Sequence, residues 1–362
     1  MIIEKIKLTN YRNIEKIECN VDPKVNVIVG NNGQGKTNFV EAIDYLATLK
    51  SFRGDDRETL IKINNDFAVI ETIFKETSVK HQARLVLSNS GLKIKLDNDD
   101  LKRNGDFIGL VNVVTFSPSD ISLFKDSPKK RREFINQEIS KISPSYYYSV
   151  LDYQKLLKER NEVLKQEKID IRYLEVITHQ LAKNAFEIMK KRIQFIDNLN
   201  EILIEKFIEI SKIEKKASIK YETFIDNEIN EENIYQNMMS KYEEDLRYKS
   251  TQVGIHRDDF IFLLDELPMS SFASQGQMRL GIIATKLSLL DLSYKLTGSK
   301  AIVVLDDVFS ELDEIRQKQV LTRLTFENQL FITTAQPIEQ IKKIINTGKM
   351  FKITNGYLET EE

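Results

Sequence analysis

The sequence predicts an α/β fold that a long helical insertion divides into two parts. Short apolar runs rich in β-branched residues, Val25–Val29 and Ala301–Leu305, are typical of strands buried on both sides of a sheet. Between them, from Pro128 to about Ile213, there is no glycine and one internal proline, Pro144, and apolar residues recur at spacings of three, four and seven. Those spacings predict amphipathic helices, so we expect an α/β head with a helical insertion.

The length of 362 residues fits two or three domains. We expect residues 1–125 and 246–362 to form the two halves of the head and residues 126–245 to form the insertion. Within the insertion, Arg172–Ile210 predicts one helix about 60 Å long. The short connection at Ile169–Asp170 predicts that this helix runs antiparallel to the one before it. The insertion is either a moving arm or lid or an ordinary helical subdomain.

Composition argues against several classes of protein. The formal net charge is -2, so binding to nucleic acid would need a local basic patch. The single cysteine, Cys19, rules out an internal disulfide framework and a cysteine-based zinc site, and it fits a reducing compartment. No signal peptide is recognisable after Met1, and no run approaches the ~20 apolar residues needed to cross a bilayer. We therefore expect a cytoplasmic protein with no membrane partner.

A glycine-rich segment follows the first buried strand and precedes a helical pattern. Residues Gly30–Thr37 read Gly-Asn-Asn-Gly-Gln-Gly-Lys-Thr and match the phosphate-loop pattern in full. Glycines allow backbone N–H groups to surround a phosphate, and the following helix adds the positive end of its dipole. Lys36 can reach the β- and γ-phosphates, and the Thr37 hydroxyl can ligate Mg²⁺. The segment predicts ATP and Mg²⁺ as ligands, bound by Gly30, Asn31, Asn32, Gly33, Gln34, Gly35, Lys36 and Thr37.

Two acids end the second buried strand. The apolar run Ile302–Leu305 is followed directly by Asp306 and Asp307. Because a phosphate loop precedes this strand in the chain, we assign Asp306 to Mg²⁺ and Asp307 to orienting or deprotonating the attacking water, with Lys36 as the second catalytic residue. Asp307 could instead cap the turn that follows. Aspartate holds water less closely than the longer glutamate, so the pair predicts slow hydrolysis.

A third element lies between the insertion and the acids. Ser274–Gln277 reads Ser-Gln-Gly-Gln, begins a long helix and resembles the signature of the ABC ATPase class, while Ser310–Asp313 resembles the D-loop of that class. In that class the signature of one subunit faces the γ-phosphate bound by another, so ATP joins two heads. The implied fold is an ABC-type P-loop ATPase head with an inserted helical lid or arm. The implied additional nucleotide contacts are Ser274, Gln275, Gly276, Gln277 and Asp313.

Further segments complete a pattern that covers essentially the whole chain. Beside the motifs above, these segments are Thr9–Asn13, Phe116–Asp120, Ser127–Arg132, Gly254–Asp259 and Leu305–Asp307. With them the chain resembles the RecF family, bacterial recombination mediators related to the SMC-type DNA-repair ATPases. The most specific of these resemblances are Gly254–Asp259, which reads Gly-Ile-His-Arg-Asp-Asp, and the Ser-Gln-Gly-Gln signature.

The resemblance implies an ATP-dependent DNA-binding protein of replication and recombinational repair. It implies dimerisation with a second copy on ATP, and binding to double-stranded DNA near single-strand gaps and at single/double-strand junctions. It also implies that the chain works with RecR and RecO to load RecA. A weak, DNA-stimulated hydrolysis of ATP to ADP and phosphate would reset the protein. By the same resemblance, Arg12 and Asn13 lie near the nucleotide.

Three basic runs are candidates for DNA contacts: Lys129–Arg132, Lys190–Arg192, and the lysines Lys212, Lys215 and Lys216. Such side chains contact phosphates without reading sequence. Charge runs on helices are also common on merely solvated faces, so both interpretations stay open. His256, in the most specific family segment, is either a hydrogen-bonded structural histidine or a contact to phosphate or DNA.

Two other functions stay open from the residues alone. The ATPase subunit of a membrane transporter would share the nucleotide motifs. The helical insertion, the Asp-Asp pair and the lack of a histidine at Thr333 and Thr334, the switch position after the last core strand, argue against it. A nucleotide-gated binding module with negligible turnover shares every binding motif, and only Asp307 separates it from an enzyme.

Overall fold

A computed structural model describes residues 1–76, 78–307, 323–324, 328–336 and 347–361. The segment predicted as a D-loop, Ser310–Asp313, lies outside these residues. Contacts divide the chain into two compact units, Met1–Asp120 with Leu289–Glu362 and Ile121–Ser288. None of the helices within the described ranges is long and apolar enough to cross a membrane.

The strands are β1 (Ile2–Tyr11), β2 (Ile14–Asn20), β3 (Val25–Val29), β4 (Phe67–Glu76), β5 (Val79–Ser88), β6 (Gly91–Leu96), β7 (Asp99–Asp100), β8 (Val113–Phe116), β9 (Ala217–Glu222), β10 (Asp259–Leu264), β11 (Leu267–Pro268), β12 (Ile302–Asp306), β13 (Leu330–Thr334), β14 (Lys349–Thr354) and β15 (Tyr357–Glu361). The helices are α1 (Lys36–Thr48), α2 (Ser122–Lys125), α3 (Pro128–Ile142), α4 (Pro144–Leu164), α5 (Ile171–Ser211), α6 (Glu231–Ser240), α7 (Tyr242–Tyr248), α8 (Met269–Phe272) and α9 (Gln275–Thr297). Short 3₁₀ helices cover Arg57–Leu60, Asn104–Phe107 and Pro118–Ile121.

A mostly parallel sheet of the first unit carries the site. Its order is β15-β14-β3-β13-β12-β8, in which β15 runs antiparallel to β14 and the others run parallel. Strands β3, β13 and β12 are buried at every residue, as their mostly apolar sequences predict. Parallel strands end at one edge of a sheet, where open α/β sheets bind ligands. The phosphate loop leaves that edge after β3, and Asp306 ends β12 there, with β13 between them.

The other sheet of this unit is antiparallel, in the order β2-β1-β4-β5-β6-β7. Its strands alternate between buried and more exposed residues because one face packs on the core. Helix α1 contributes Phe39, Ile43 and Leu46, which have no exposed surface and share one apolar cluster with residues of both sheets. The core therefore fixes α1, and with it the loop that precedes α1.

The second unit differs from the predicted insertion. Helix α5 has 41 residues and is about 60 Å long by the rise of an α-helix, as its pattern predicts. The unit also contains a small antiparallel sheet, β11-β10-β9. Strand β9 was not predicted, because Ala217–Glu222 is short and mixes small and charged residues. Since β10 pairs with β9 along its whole length, it belongs to this unit. The boundary expected at 245/246 therefore moves to Ser288 and Leu289, inside α9.

Candidate nucleotide-binding site

The phosphate loop has the backbone that its glycines predict. Gly33 and Gly35 have φ of 79° and 114°, in the left-handed region that residues with a Cβ adopt rarely. Gly35 is also the N-cap of α1, and no side chain caps that helix end. The first N–H groups of α1 are thus available to an anion, and the helix dipole favours negative charge at this position.

Lys36 lies across the loop. Its Nζ donates to the carbonyl oxygens of Gly30 at 2.7 Å and Asn31 at 3.0 Å. Burial lowers the pKa of Lys36, and the nearby charges of Asp307 and Asp306 oppose that effect. The ammonium therefore sits between the loop and the acids, where it can serve as a point charge for the outer phosphates.

The structure brings Thr37 and Asp306 together, although 269 positions separate them in the chain. The Thr37 hydroxyl donates to Asp306 Oδ1 at 3.0 Å, and the Thr333 hydroxyl donates to the same oxygen at 2.7 Å. Burial raises the pKa of Asp306, while the two hydrogen bonds and the charge of Arg53 oppose the increase.

A hydroxyl beside a carboxylate is an oxygen ligand set that suits Mg²⁺, which usually keeps waters and phosphate oxygens as its other ligands. Within the described ranges, no group of three or more His, Cys, Asp or Glu residues could hold a metal ion. A shared protein and phosphate site therefore fits better than a cage made only of protein. Thr37 and Asp306 are the residues that would hold the ion.

Asp307 has an unusual backbone. Its φ is 54°, a left-handed conformation that costs energy for most residues with a side chain. The Asp307 N–H donates to the Thr333 hydroxyl at 3.0 Å, which holds this turn at the end of β12. Thr333 thus contacts both acids. In the sequence, Thr333 stands out only because this position lacks a histidine, and nothing there predicts its contacts with both acids.

Arg12 and Asn13 have different surroundings. The guanidinium of Arg12 makes two hydrogen bonds to the buried Glu41 of α1, at 2.9 and 2.7 Å, and one to Asp55. Asn13 contacts the phosphate loop directly, since its Nδ2 donates to the Gln34 carbonyl at 3.3 Å. Of the two, Asn13 is the residue that touches the loop, while Arg12 is engaged with carboxylates beside it.

Arg53 is a cation near the acids that was not predicted from the sequence. Arg53 follows α1, its Nε lies 4.0 Å from Glu41, and its charge opposes the rise that burial causes in the pKa of Asp306. No motif identifies Arg53. Its position just after the helix that begins at the phosphate loop is the signal that could have found it.

The signature segment begins α9 with a reciprocal capping box. The Ser274 hydroxyl accepts from the Gln277 N–H at 3.2 Å, and Gln277 Oε1 accepts from the Ser274 N–H at 2.8 Å. Ser274, Gln275 and Gly276 are exposed. A Cβ on Gly276 would meet its nearest described neighbour only at 4.0 Å. Crowding within the described chain therefore does not require glycine here, although glycine costs about 1 kcal/mol in a helix relative to alanine.

The most family-specific segment is built into the second unit. Tyr153 and His256 Nδ1 are hydrogen-bonded at 3.0 Å, and His256 Nε2 lies 3.2 Å from the Thr251 carbonyl. A Cβ on Gly254 would lie 2.4 Å from the Tyr153 hydroxyl. The φ of Gly254 is 139°, so this position needs glycine. His256 is therefore a hydrogen-bonded structural histidine in this unit.

The basic runs divide into internal and exposed residues. Arg131 makes a two-pronged ion pair with Asp259, at 2.8 and 2.7 Å, and Arg132 donates to the Asp258 carbonyl at 2.6 Å. Arg192 is buried and pairs with the Asp258 carboxylate at 3.0 Å. These three arginines hold the second unit together, so the prediction that they contact DNA is not supported. The exposed residues of these runs that stay candidates for DNA contacts are Lys129, Lys130, Lys190, Lys212 and Lys216.

The parallel sheet, the loop after β3, the acids at the end of β12 and the capped signature helix define an ABC-type ATPase head. Residues 2–358 match the family model described as RecF/RecN/SMC N terminal domain. The DNA replication and repair protein RecF of Latilactobacillus sakei is 36% identical over 100% of both chains, and that of Halalkalibacterium halodurans is 35% identical over 99% of both. The chain belongs to the RecF family.

Solved structures agree with this assignment. A solved structure of the recombination mediator protein RecF-ATP in the RecFOR pathway has a TM-score of 0.93 and 31% identity, over 100% of this chain and 98% of that one. An Smc head domain bound to the C-terminal winged-helix domain of ScpA has a TM-score of 0.55 at 14% identity and covers 100% of this chain and 97% of its own. At that identity the likeness shows the fold alone.

Proposed function

We propose that this chain binds Mg²⁺–ATP and acts as an ATP-dependent recombination mediator on DNA. The observation that carries the proposal is the Thr37–Asp306 hydrogen bond, which joins the phosphate loop to the acidic strand at the carboxyl edge of the sheet. Family membership supports the role in repair, because the relatives are named DNA replication and repair proteins and the solved RecF is titled a recombination mediator.

The residues of the phosphate loop and of the acidic strand have different roles in binding and hydrolysis. The N–H groups of the loop and of the first turn of α1 hold the outer phosphates, and Lys36 exchanges its carbonyl partners for phosphate oxygens. Bound Mg²⁺ would neutralise charge on the phosphates, held through Thr37 and Asp306. Asp307, whose turn Thr333 holds, orients the attacking water or takes its proton. The Asp-Asp pair gives slow hydrolysis, which we propose DNA stimulates weakly.

The exposed signature supports a site shared between two copies. Ser274–Gln277 presents a hydroxyl and a helix N-terminus to solvent, and Gly276 leaves room for a close approach. We infer that this surface meets the γ-phosphate held by a second copy, so that ATP joins two heads. The closed pair would then hold duplex DNA near single-strand gaps and junctions, with RecR and RecO as partners in loading RecA.

The proposal is tested by DNA binding with and without ATP across a salt series. Lys36→Met should abolish ATP binding and the ATP-dependent part of DNA binding. Asp307→Asn should trap an ATP-bound dimer in sedimentation, and asparagine tolerates the left-handed φ of 54°, so the variant changes chemistry and not the backbone. A steep loss of affinity with salt would show phosphate contacts. Equal DNA binding with and without ATP would refute the proposal.

Gly276→Ala tests the site shared between two copies without disturbing the fold of the single chain. The added methyl group has space in the described chain, so the variant should not lose helix stability. The same methyl group should weaken ATP-dependent dimerisation, measured by sedimentation at saturating ATP. A variant that dimerises like the wild type would show that the signature does not face a second copy. Exposed Ser271→Ala, three residues before the capping serine, is the matched control and should dimerise normally.

A further inference from the structure

We propose that the turn between β14 and β15, Asn355–Gly356, acts with Asn13 as a positioning element that holds the phosphate loop in its nucleotide-binding shape. The inference rests on the proposed binding of ATP. It assigns Gln34, a predicted nucleotide ligand, to the attachment of the loop and not to direct contact with phosphate.

The geometry of a phosphate loop creates a need for such an attachment. A loop that points its N–H groups at an anion turns carbonyl groups outward, and these need donors of their own. The Gln34 carbonyl accepts from the Gly356 N–H at 2.9 Å and from Asn13 Nδ2 at 3.3 Å. The Gln34 side chain also faces this way, since its Oε1 accepts from the Asn355 N–H at 2.7 Å. The carbonyl and side-chain oxygens of Gln34 thus accept hydrogen bonds from the Asn355–Gly356 turn, and the carbonyl also accepts one from Asn13.

The phosphate loop, the turn at Asn13 and the β14–β15 hairpin pack closely against one another. A Cβ on Gly30 would lie 2.5 Å from the Ile353 carbonyl oxygen, and one on Gly35 would lie 2.9 Å from Asn13 Oδ1. A Cβ on Gly356 would lie 2.7 Å from the Asn13 carbonyl oxygen. Contacts under 3.0 Å cannot be relieved where the opposing atom is backbone, so Gly30 and Gly356 are needed for this packing. Glycine in the loop therefore serves two purposes, its conformation and the approach of its neighbours.

Strand pairing fixes the position of the Asn355–Gly356 turn relative to the phosphate loop. Asn355 and Gly356 have φ of 49° and 81°, the pair of positive values that a two-residue hairpin turn requires, and Asn-Gly is the preferred sequence for it. Strand β14 pairs in parallel with β3, with Lys352 opposite Val29. The register that places β3 under the loop thus also places the turn against Gln34.

The expected consequence is pre-organisation. A loop that is already ordered loses less conformational freedom when it binds ATP, so its affinity is higher. The donors touch the loop from outside and take no part in hydrolysis. Their removal should therefore raise the Kd and the KM for ATP and leave kcat at saturating ATP nearly unchanged.

The test compares Gln34→Ala and Gly356→Ala with the control Gly298→Ala. Gly298 has a similar φ of 70°, and a Cβ there meets nothing within 4 Å in the described part of the chain. All three variants and the wild type are titrated with a ribose-labelled fluorescent ATP, and kcat and apo Tm are measured in parallel. We expect Kd to rise about tenfold in both test variants, with kcat within about twofold of wild type, and Kd to be unchanged in Gly298→Ala.

Wild-type affinity in Gln34→Ala, or the same loss of affinity in Gly298→Ala, would overturn the inference. A fall in kcat without a rise in KM would also overturn it, because that result would place Gln34 at the reacting atoms. If Gly356→Ala fails to fold, Gln34→Ala decides, because its side chain makes an exposed hydrogen bond. If the wild type itself does not bind ATP, the proposed function fails, which distinguishes the two results.

Discussion

Lowering the pH should destabilise the second unit through His256. Burial is the largest effect on this ring and lowers its pKa to about 4, with the charges of Arg257, Arg132 and Arg160 acting in the same direction and the hydrogen bond to Thr251 opposing them. A carbonyl can only accept, so Nε2 must carry the proton that it donates to Thr251. Nδ1 therefore accepts from the Tyr153 hydroxyl, and protonation of Nδ1 would end that donation.

The size of the loss in stability follows from the pKa values of His256 in the folded and unfolded states. An unfolded histidine titrates near 6.5, and the difference from about 4 corresponds to roughly 3 kcal/mol of unfolding free energy. Because the folded pKa is the lower one, the unfolded state binds more protons between these values. Stability from His256 is therefore fully present above pH 6.5 and declines as the pH falls from about 6.5 to about 4. Below that range both states are protonated, and the loss does not grow further.

Two measurements check this prediction. The chain has three histidines, so ring proton NMR gives three titrations, and His256→Gln identifies the one in question. Urea unfolding of the wild type and of His256→Gln at pH 7.5 and pH 4.5 then isolates the contribution of the ring, because all other groups are common to both. A ring that titrates near pH 6.5, or an equal acid loss in both proteins, would refute the reasoning and favour a solvent-facing histidine free to contact phosphate or DNA.

The remaining predictions concern one buried amide, one buried ion pair and one exposed basic pair. Gln329→Leu should lower the free energy of unfolding by about 3 kcal/mol, because three backbone groups lose a buried partner; urea unfolding measures it, and a loss below about 1 kcal/mol would contradict it. Asp245→Asn should cost about 3–5 kcal/mol because Arg160 is fully buried, and Arg160→Met with Asp245→Leu should recover most of the loss. Lys129→Glu with Lys130→Glu should weaken DNA binding and reduce its salt slope by about two; an unchanged slope would mean a merely solvated face.

Local features made the head predictable from the sequence. Strands β3 and β12 are short runs of mostly apolar residues, and the phosphate loop needs glycines at fixed positions, so short segments carry the signal. The meeting of Thr37 with Asp306 also follows, because strands that are buried on both sides belong in parallel sheets, whose carboxyl ends share an edge.

Contacts between distant segments could not be predicted in the same way. Arg131 pairs with Asp259 across 128 positions, and Arg192 pairs with Asp258 across 66. In the sequence these arginines look the same as the exposed lysines beside them, because a charge run shows sign but not burial. Strand β9 was missed for a related reason, since its partner β10 defines it more than its own composition does.

Within the nucleotide motifs too, a sequence pattern does not show which contacts a residue makes. The phosphate-loop pattern predicts Gln34 and Lys36 near the nucleotide, and the family resemblance adds Asn13, but proximity and contact are different properties. Lys36 bonds to the loop carbonyls and lies beside the acids, where a phosphate can replace its partners. Asn13 bonds to the loop carbonyl of Gln34, whose side chain in turn accepts a hydrogen bond from the β14–β15 turn. A substitution at Lys36 therefore removes a positive charge beside the phosphate position, whereas one at Gln34 removes order from the loop, and kcat and KM should report the two effects separately.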